Sequence, residues 1–153
     1  DKENIRPFLV FHGTNKRRNT NGRHWIEKIN DKIIKDKFNG LKIVTDIRYD
    51  DYENDEASWL KDEIGGVLVH VSQYTVENTH SPVRCFKEPA NSEEARNDPK
   101  LKEKSDYEIE WEFIKDGRID KLNCYIDDFI KWLYLYVEAR RHNFNKQNQE
   151  KRL

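Results

Sequence analysis

"KIVTDIRYDDYEND", residues 42–55, is the stretch whose reading decides the fold. An apolar run climbs through Ile43 and Val44 to Asp46, skips one residue and lands on Arg48. Asp50, Asp51, Glu53, Asn54 and Asp55 follow closely. With Leu41 in front, "LKIVTD" (41–46) reads as a short strand of the buried type. Its end can be read in two ways. As a solvated strand end, Asp46 caps a turn and Arg48 joins a surface ion pair of little worth. As the carboxyl end of a parallel strand, it sits where open α/β sheets bind ligands. There Asp46 could hold a metal-bound water or orient an arginine, and Arg48 could clamp a phosphate in a bidentate fork.

The flanking segments support a sheet with helices. "RHWIEKINDKIIKDKFNG" (23–40) predicts a helix with Trp25, Ile26, Ile29, Ile33 and Ile34 on one face and Asn39-Gly40 as its stop. "NDEASWLKDEIGG" (54–66) predicts a second helix, with acids at its positive end and Gly65 as its stop. "VLVHVSQ" (67–73) is a strand. Strand, helix and strand at these lengths make a βαβ unit and hence a parallel sheet. Upstream, "IRPFLVFHGTN" (5–15) suits either a strand or a short helix closed by Gly13, and "NKRRNTNGR" (15–23) reads as a basic loop. Downstream, residues 74–104 are polar, contain Pro82, Pro89 and Pro99, and read as a long functional loop. "DYEIEWEF" (106–113) alternates as a strand should, and residues 119–143 predict a long amphipathic helix. One domain over residues 1–143 and a polar tail over 144–153 follow.

Composition narrows the function classes. The chain has 153 residues, 35% of them hydrophobic and 12% aromatic, with a formal charge of −1. Near-neutral charge argues against a protein that coats polyanions, so a nucleic-acid partner is not expected. Two widely spaced cysteines, Cys85 and Cys124, suggest neither a disulfide framework nor a metal site and suit a reducing, cytoplasmic compartment. "FIKWLYLYV" (129–137) is too short to span a membrane. The chain holds no methionine, even at position 1, which suggests trimming or a piece of a longer product.

Two further stretches carry candidate chemistry. In "GTNKRRNTNGRHW" (13–25), a Gly-Thr turn offers a backbone N–H and a hydroxyl. Arg17, Arg18 and Arg23 could converge on an anion, and Trp25 could stack on a base or simply face the core. In residues 79–99, His80, Arg84, Lys87 and Arg96 are bases on a segment that could cover a migrating phosphoryl group or could be solvated. No G-x-x-x-x-G-K-[ST], G-x-S-x-G, H-E-x-x-H or C-x-x-C occurs in these residues.

In order along the chain, "RPFLVFHGT", "RHWIEKI", "KIVTDIRYDDYE", "EIGGVLVHV", "HSP…NSEEARNDP" and "SDYEIEW" with the final helix resemble phage-type deoxynucleoside monophosphate kinases, a branch of the P-loop kinases. The resemblance implies an incomplete P-loop-kinase-like parallel sheet flanked by helices, with a lid over about residues 74–104. It implies phosphoryl transfer from ATP, with Mg²⁺, to a deoxynucleoside monophosphate, in a phage-infected host cell. By position, Asp46, Arg48 and Arg96 would be catalytic, with Asp46 near the metal. Thr14, Arg18, Arg23, Trp25, Arg48 and Glu53 would bind the acceptor. His80, Arg84 and Glu93 would belong to the lid. The family's first strand and phosphate-binding loop have no counterpart here, so a second polypeptide or a missing segment would supply them. A kinase relic acting as a structural or interaction protein is the alternative.

Overall fold

The computed structural model describes residues 2–77, 81–115 and 117–150, with backbone alone for 2, 3 and 143–150. It is a mixed α/β structure that divides into two compact units. The first comprises Asp1–His70 and Glu88–Glu108, and the second Val71–Lys87 and Ile109–Leu153.

In the first unit, helix α1 runs Lys2–Asn19, straight through Gly13 and Thr14, with Pro7 inside it. The expected Gly-Thr turn and residues 15–19 of the expected basic loop (15–23) are therefore corrected to helix, and residues 20–22 form the turn between the two helices. The helix stops where Gly22 can take a left-handed φ of 88° and its N–H reaches the Arg17 carbonyl at 2.8 Å. A Cβ at Gly22 would stand 2.7 Å from Asp55 Oδ1, so the position needs glycine for space as well as for conformation. Helix α2, Arg23–Lys35, follows and buries Ile26. It ends at Asp36, whose N–H still bonds the Lys32 carbonyl while its own ψ of 118° leaves the helix. That is short of the expected Asn39-Gly40 stop.

Residues 41–46 form no strand. The expected βαβ unit at this point is absent because no strand among the described residues pairs with the segment. Helix α3, Glu56–Ser58, is capped by Asp55 and passes into a π-helical turn, Trp59–Glu63, closed by Ile64 N–H to Trp59 C=O at 3.1 Å. The expected long loop is replaced largely by regular structure, namely the end of β1, a strand β2 and helix α4, Ser92–Lys104. Asn91 caps α4 by accepting from Glu94 N–H at 3.0 Å, and Pro99 is accommodated inside the helix. Ala57, Leu68 and Leu101 form the core of this unit, with Ile47 and Leu60 against it.

The sheet has three strands in the order β2-β1-β3, with β1 at Val69–Glu77, β2 at Val83–Phe86 and β3 at Tyr107–Glu112. β1 and β2 are antiparallel, with Tyr74 opposite Phe86. Asp106 N–H bonds Leu68 C=O and Phe113 N–H bonds Tyr74 C=O, so β1 and β3 advance together in parallel. The sheet is mixed, which corrects the expected purely parallel arrangement. In the second unit Tyr74 is buried against Phe86, with ring centroids 5.7 Å apart. A 3₁₀ turn, Ile119–Leu122, leads into helix α5, Asn123–Glu150. No helix among the described residues is long and apolar enough to cross a membrane.

Candidate functional site

Arg48 and the first two acids after it, Asp50 and Asp51, have partners on α4. Arg48 pairs with Glu94 at 2.7 Å, and Asp51 with Arg96 at 2.8 Å and Lys100 at 3.2 Å. Asp50 pairs with Lys104 at 2.7 Å. Buried Asn97 accepts from Asp50 N–H at 3.0 Å and donates to Asp51 at 3.2 Å. Residues 94, 97, 100 or 101 and 104 recur at helical spacing, so one face of α4 fastens the whole loop. Burial alone would push the Asp51 carboxyl up, but the donors Arg96, Asn97 and Lys100 outweigh it and hold it below the ordinary range.

Beneath this loop Arg17 is buried in an ion pair with Asp55, its guanidinium 3.5 Å from the Tyr49 ring centroid. Asp55 also accepts from the N–H groups of Asp51 at 2.9 Å and Glu56 at 3.0 Å. Glu56 accepts from Arg48 N–H at 2.8 Å and Tyr49 N–H at 3.2 Å. Paired donors of this kind hold the loop backbone on both sides of Arg48.

A cavity of about 250 Å³ opens in the same unit, lined by Trp25, Ile26, Ile29, Thr45, Asp46, Ile47, Glu56 and Trp59. Its walls are two indoles and aliphatic side chains, and its polar groups are a hydroxyl and two carboxylates. Trp59 is 1% exposed, and its Nε1–H is buried without a hydrogen-bond partner. The volume suits one heteroaromatic ring rather than a whole nucleotide, whose sugar and phosphate would lie at the lip. At that lip Asp46, at a left-handed φ of 66°, accepts from Arg48 at 2.9 Å.

The chain stands apart in comparison. No protein-family model, no curated protein and no solved structure matches it.

Of the residues singled out in the sequence, the structure brings Trp25 and Asp46 to one cavity and Arg48 to its edge. Arg23 instead forms a bidentate pair with Glu63, and Arg96 binds Asp51 and Glu93. Thr14 and Arg18 lie on α1 and do not line the cavity, and Glu53 is exposed. Arg84 lies in the second unit, over the Tyr74 ring at 4.6 Å and 3.4 Å from Glu110. His80 lies outside the described residues. Among the described residues no group of three His, Cys, Asp or Glu side chains is placed to hold a metal ion, and Asp46 is no exception. Glu56 and Trp59 were not singled out. Their signal was the Glu-x-x-Trp spacing behind the Asp55 cap, which puts both on one helical face.

Burial pushes the Glu56 carboxyl above its ordinary range, against the pull of the Arg48 and Tyr49 N–H groups. A raised carboxyl contributes its stability in full below the unfolded pKa, about 4.3, and loses it as pH rises through the folded value. Glu56→Gln keeps an oxygen for both N–H groups and removes the titration. Its stability relative to the parent should therefore rise from acid toward neutral pH. Urea unfolding of both proteins at the two pH values checks this, and a difference that stays constant with pH would show the carboxyl to be unshifted.

Proposed function

We propose that this chain binds a mononucleotide, its base held in the Trp25–Trp59 cavity and its phosphate facing Arg48. In this reading it is the acceptor side of a nucleotide-kinase-like phosphotransferase. The observation that carries the reading is the convergence of Trp25, Asp46 and Arg48 on one cavity and its lip. A base could stack on an indole and exchange hydrogen bonds with the carboxylates and the hydroxyl. Arg48 is now shared between Asp46 and Glu94, so a phosphate would have to replace one of those carboxylates. ATP and Mg²⁺ belong to the donor side, and no phosphate-binding loop occurs in these residues. Turnover by this chain alone is not expected.

A thermal-shift titration with the four deoxynucleoside monophosphates, their nucleosides and ATP·Mg²⁺ tests the reading. Monophosphate at a hundredfold excess over Kd should add about 2.7 kcal/mol of stability. Arg48→Ala should weaken the monophosphate about tenfold, as expected for a lost charge-assisted hydrogen bond, and leave the nucleoside unchanged. Equal loss for both ligands would remove the phosphate from Arg48.

A second reading, a non-catalytic interaction protein, is favoured by exposed apolar side chains. Phe8 and Phe11 on α1 are 66% and 64% exposed, and Tyr134 and Leu135 on α5 are each 67% exposed. No shift with any nucleotide would put this reading first.

A further inference from the structure

The two carboxylates that share Arg48 are held very differently. Glu94 is fixed. It stands in the first turn of α4, where a carboxylate suits the positive end of the helix, and its side chain is 20% exposed. Its Oε1 accepts from Arg48 Nη1 at 2.7 Å and from Asn91 Nδ2 at 3.0 Å, while its N–H donates to Asn91 Oδ1 at 3.0 Å, a reciprocal cap. Asp46 is loose. Its side chain is 70% exposed, and among the described residues Arg48 Nη2, at 2.9 Å, is the one partner of its carboxylate. Its left-handed φ of 66° is a conformation that aspartate adopts at a cost.

We propose that a phosphate on Arg48 displaces Asp46 and leaves Glu94 in place, which makes Glu94 the positioning residue of the phosphate site and Asp46 its internal competitor. The inference rests on the mononucleotide reading above. A guanidinium is a planar fork of donors, and its Nε–Nη2 edge can hold two oxygens of one phosphate. Glu94 takes Nη1, outside that edge. Asp46 takes Nη2, and among the described residues no group accepts from Nε. The carboxylate that stands on the fork is thus the exposed one, whose pairing is worth little. A phosphate at Nη1 would instead meet a carboxylate that the cap of α4 keeps in place. With the Arg48 N–H bonded to Glu56 at 2.8 Å and Nη1 bonded to Glu94, both ends of the arginine stay fixed while the fork changes partner. Displaced, Asp46 remains beside the cavity it lines, where N–H groups of the base can reach it.

The test is the ratio of monophosphate to nucleoside affinity, measured by calorimetric titration of the full chain. The ligands are the deoxynucleoside monophosphate that stabilises the parent most and its own nucleoside, so contacts to the base cancel. Asp46→Asn removes the charge and keeps a side chain that tolerates left-handed φ. It should raise the ratio about two- to fivefold, the worth of an exposed pair. Glu94→Gln keeps an oxygen for Arg48 and should change the ratio by less than about twofold. In an Arg48→Ala background Asp46→Asn should have no effect, because the competition runs through the guanidinium. An unchanged or lower ratio in Asp46→Asn overturns the proposal. So does a gain from Glu94→Gln that matches it, or a gain from Asp46→Asn that persists without Arg48. If neither the parent nor Asp46→Asn binds any monophosphate, the mononucleotide reading itself falls, and this inference with it.

Discussion

Replacing Arg17 with alanine is expected to lower the unfolding free energy by about 3–5 kcal/mol, the loss typical of breaking a buried ion pair from one side. Arg17 is 6% exposed and Asp55 is fully buried. With the guanidinium gone, the Asp55 carboxylate would keep only the Asp51 and Glu56 N–H groups, in a site that excludes water. The Tyr49 ring would lose the cation that covers its face. Because Asp55 both caps α3 and holds the loop, the damage should reach the backbone around Arg48. The pair itself is not the source of the stability. Arg17 Nε is buried with no partner, so desolvation of the pair is incompletely offset. The double variant Arg17→Met/Asp55→Asn should therefore lose clearly less than Arg17→Ala. Urea unfolding followed by circular dichroism measures both. A loss below about 1 kcal/mol for the single variant would be that of a solvated surface pair and would contradict the burial.

Arg17 also shows where the sequence was legible and where it was not. Arg17 and Arg18 are neighbours of one type, and the sequence offers both to an anion. The structure buries one with its guanidinium over the Tyr49 ring at 3.5 Å and the Tyr52 ring at 5.8 Å and leaves the other exposed, a choice made by Asp55, thirty-eight residues away. Elements with a strong local period were legible: α2, β3 and α5 lie close to where their patterns place them. The strand read at 41–46 failed for a different reason. Val and Ile declare a preference for extended structure, but a strand is completed by its neighbour, and none lies beside it among the described residues. Helix α4 was hidden by Pro99, which reads as a breaker although Asn91, Glu93 and Glu94 spell an N-terminus. The acids of residues 50 and 51 were visible, but their partners at 96, 100 and 104 were not, because ion pairs between elements leave no periodic trace. Of the cavity, Trp25 and Asp46 were legible as residue types suited to a ligand. Trp59 was hidden inside a helix whose apolar face explained it sufficiently.

Trp59 is where fold and function make opposite demands. Trp59→Ala should cost about 3–5 kcal/mol, the usual range for emptying a buried aromatic site, because the ring is 1% exposed. Trp59→Phe isolates the indole N–H. A buried donor left without a partner costs about 1–3 kcal/mol, so its removal should return part of what the smaller ring loses in packing. Stability of the phenylalanine variant should then lie near that of the parent, far above the alanine variant. Ligand affinity should behave differently. If a base occupies the cavity, the natural partner for the indole N–H is an acceptor on its edge, and Trp59→Phe should weaken the monophosphate about tenfold. Retained stability with reduced affinity is the signature of a binding donor. Unchanged affinity in a chain that does bind a monophosphate would make Trp59 a core residue that borders the cavity, with specificity left to Asp46 and Glu56. The two measurements, unfolding and titration on the same pair of variants, therefore separate a ring that fills space from a group that waits for a ligand.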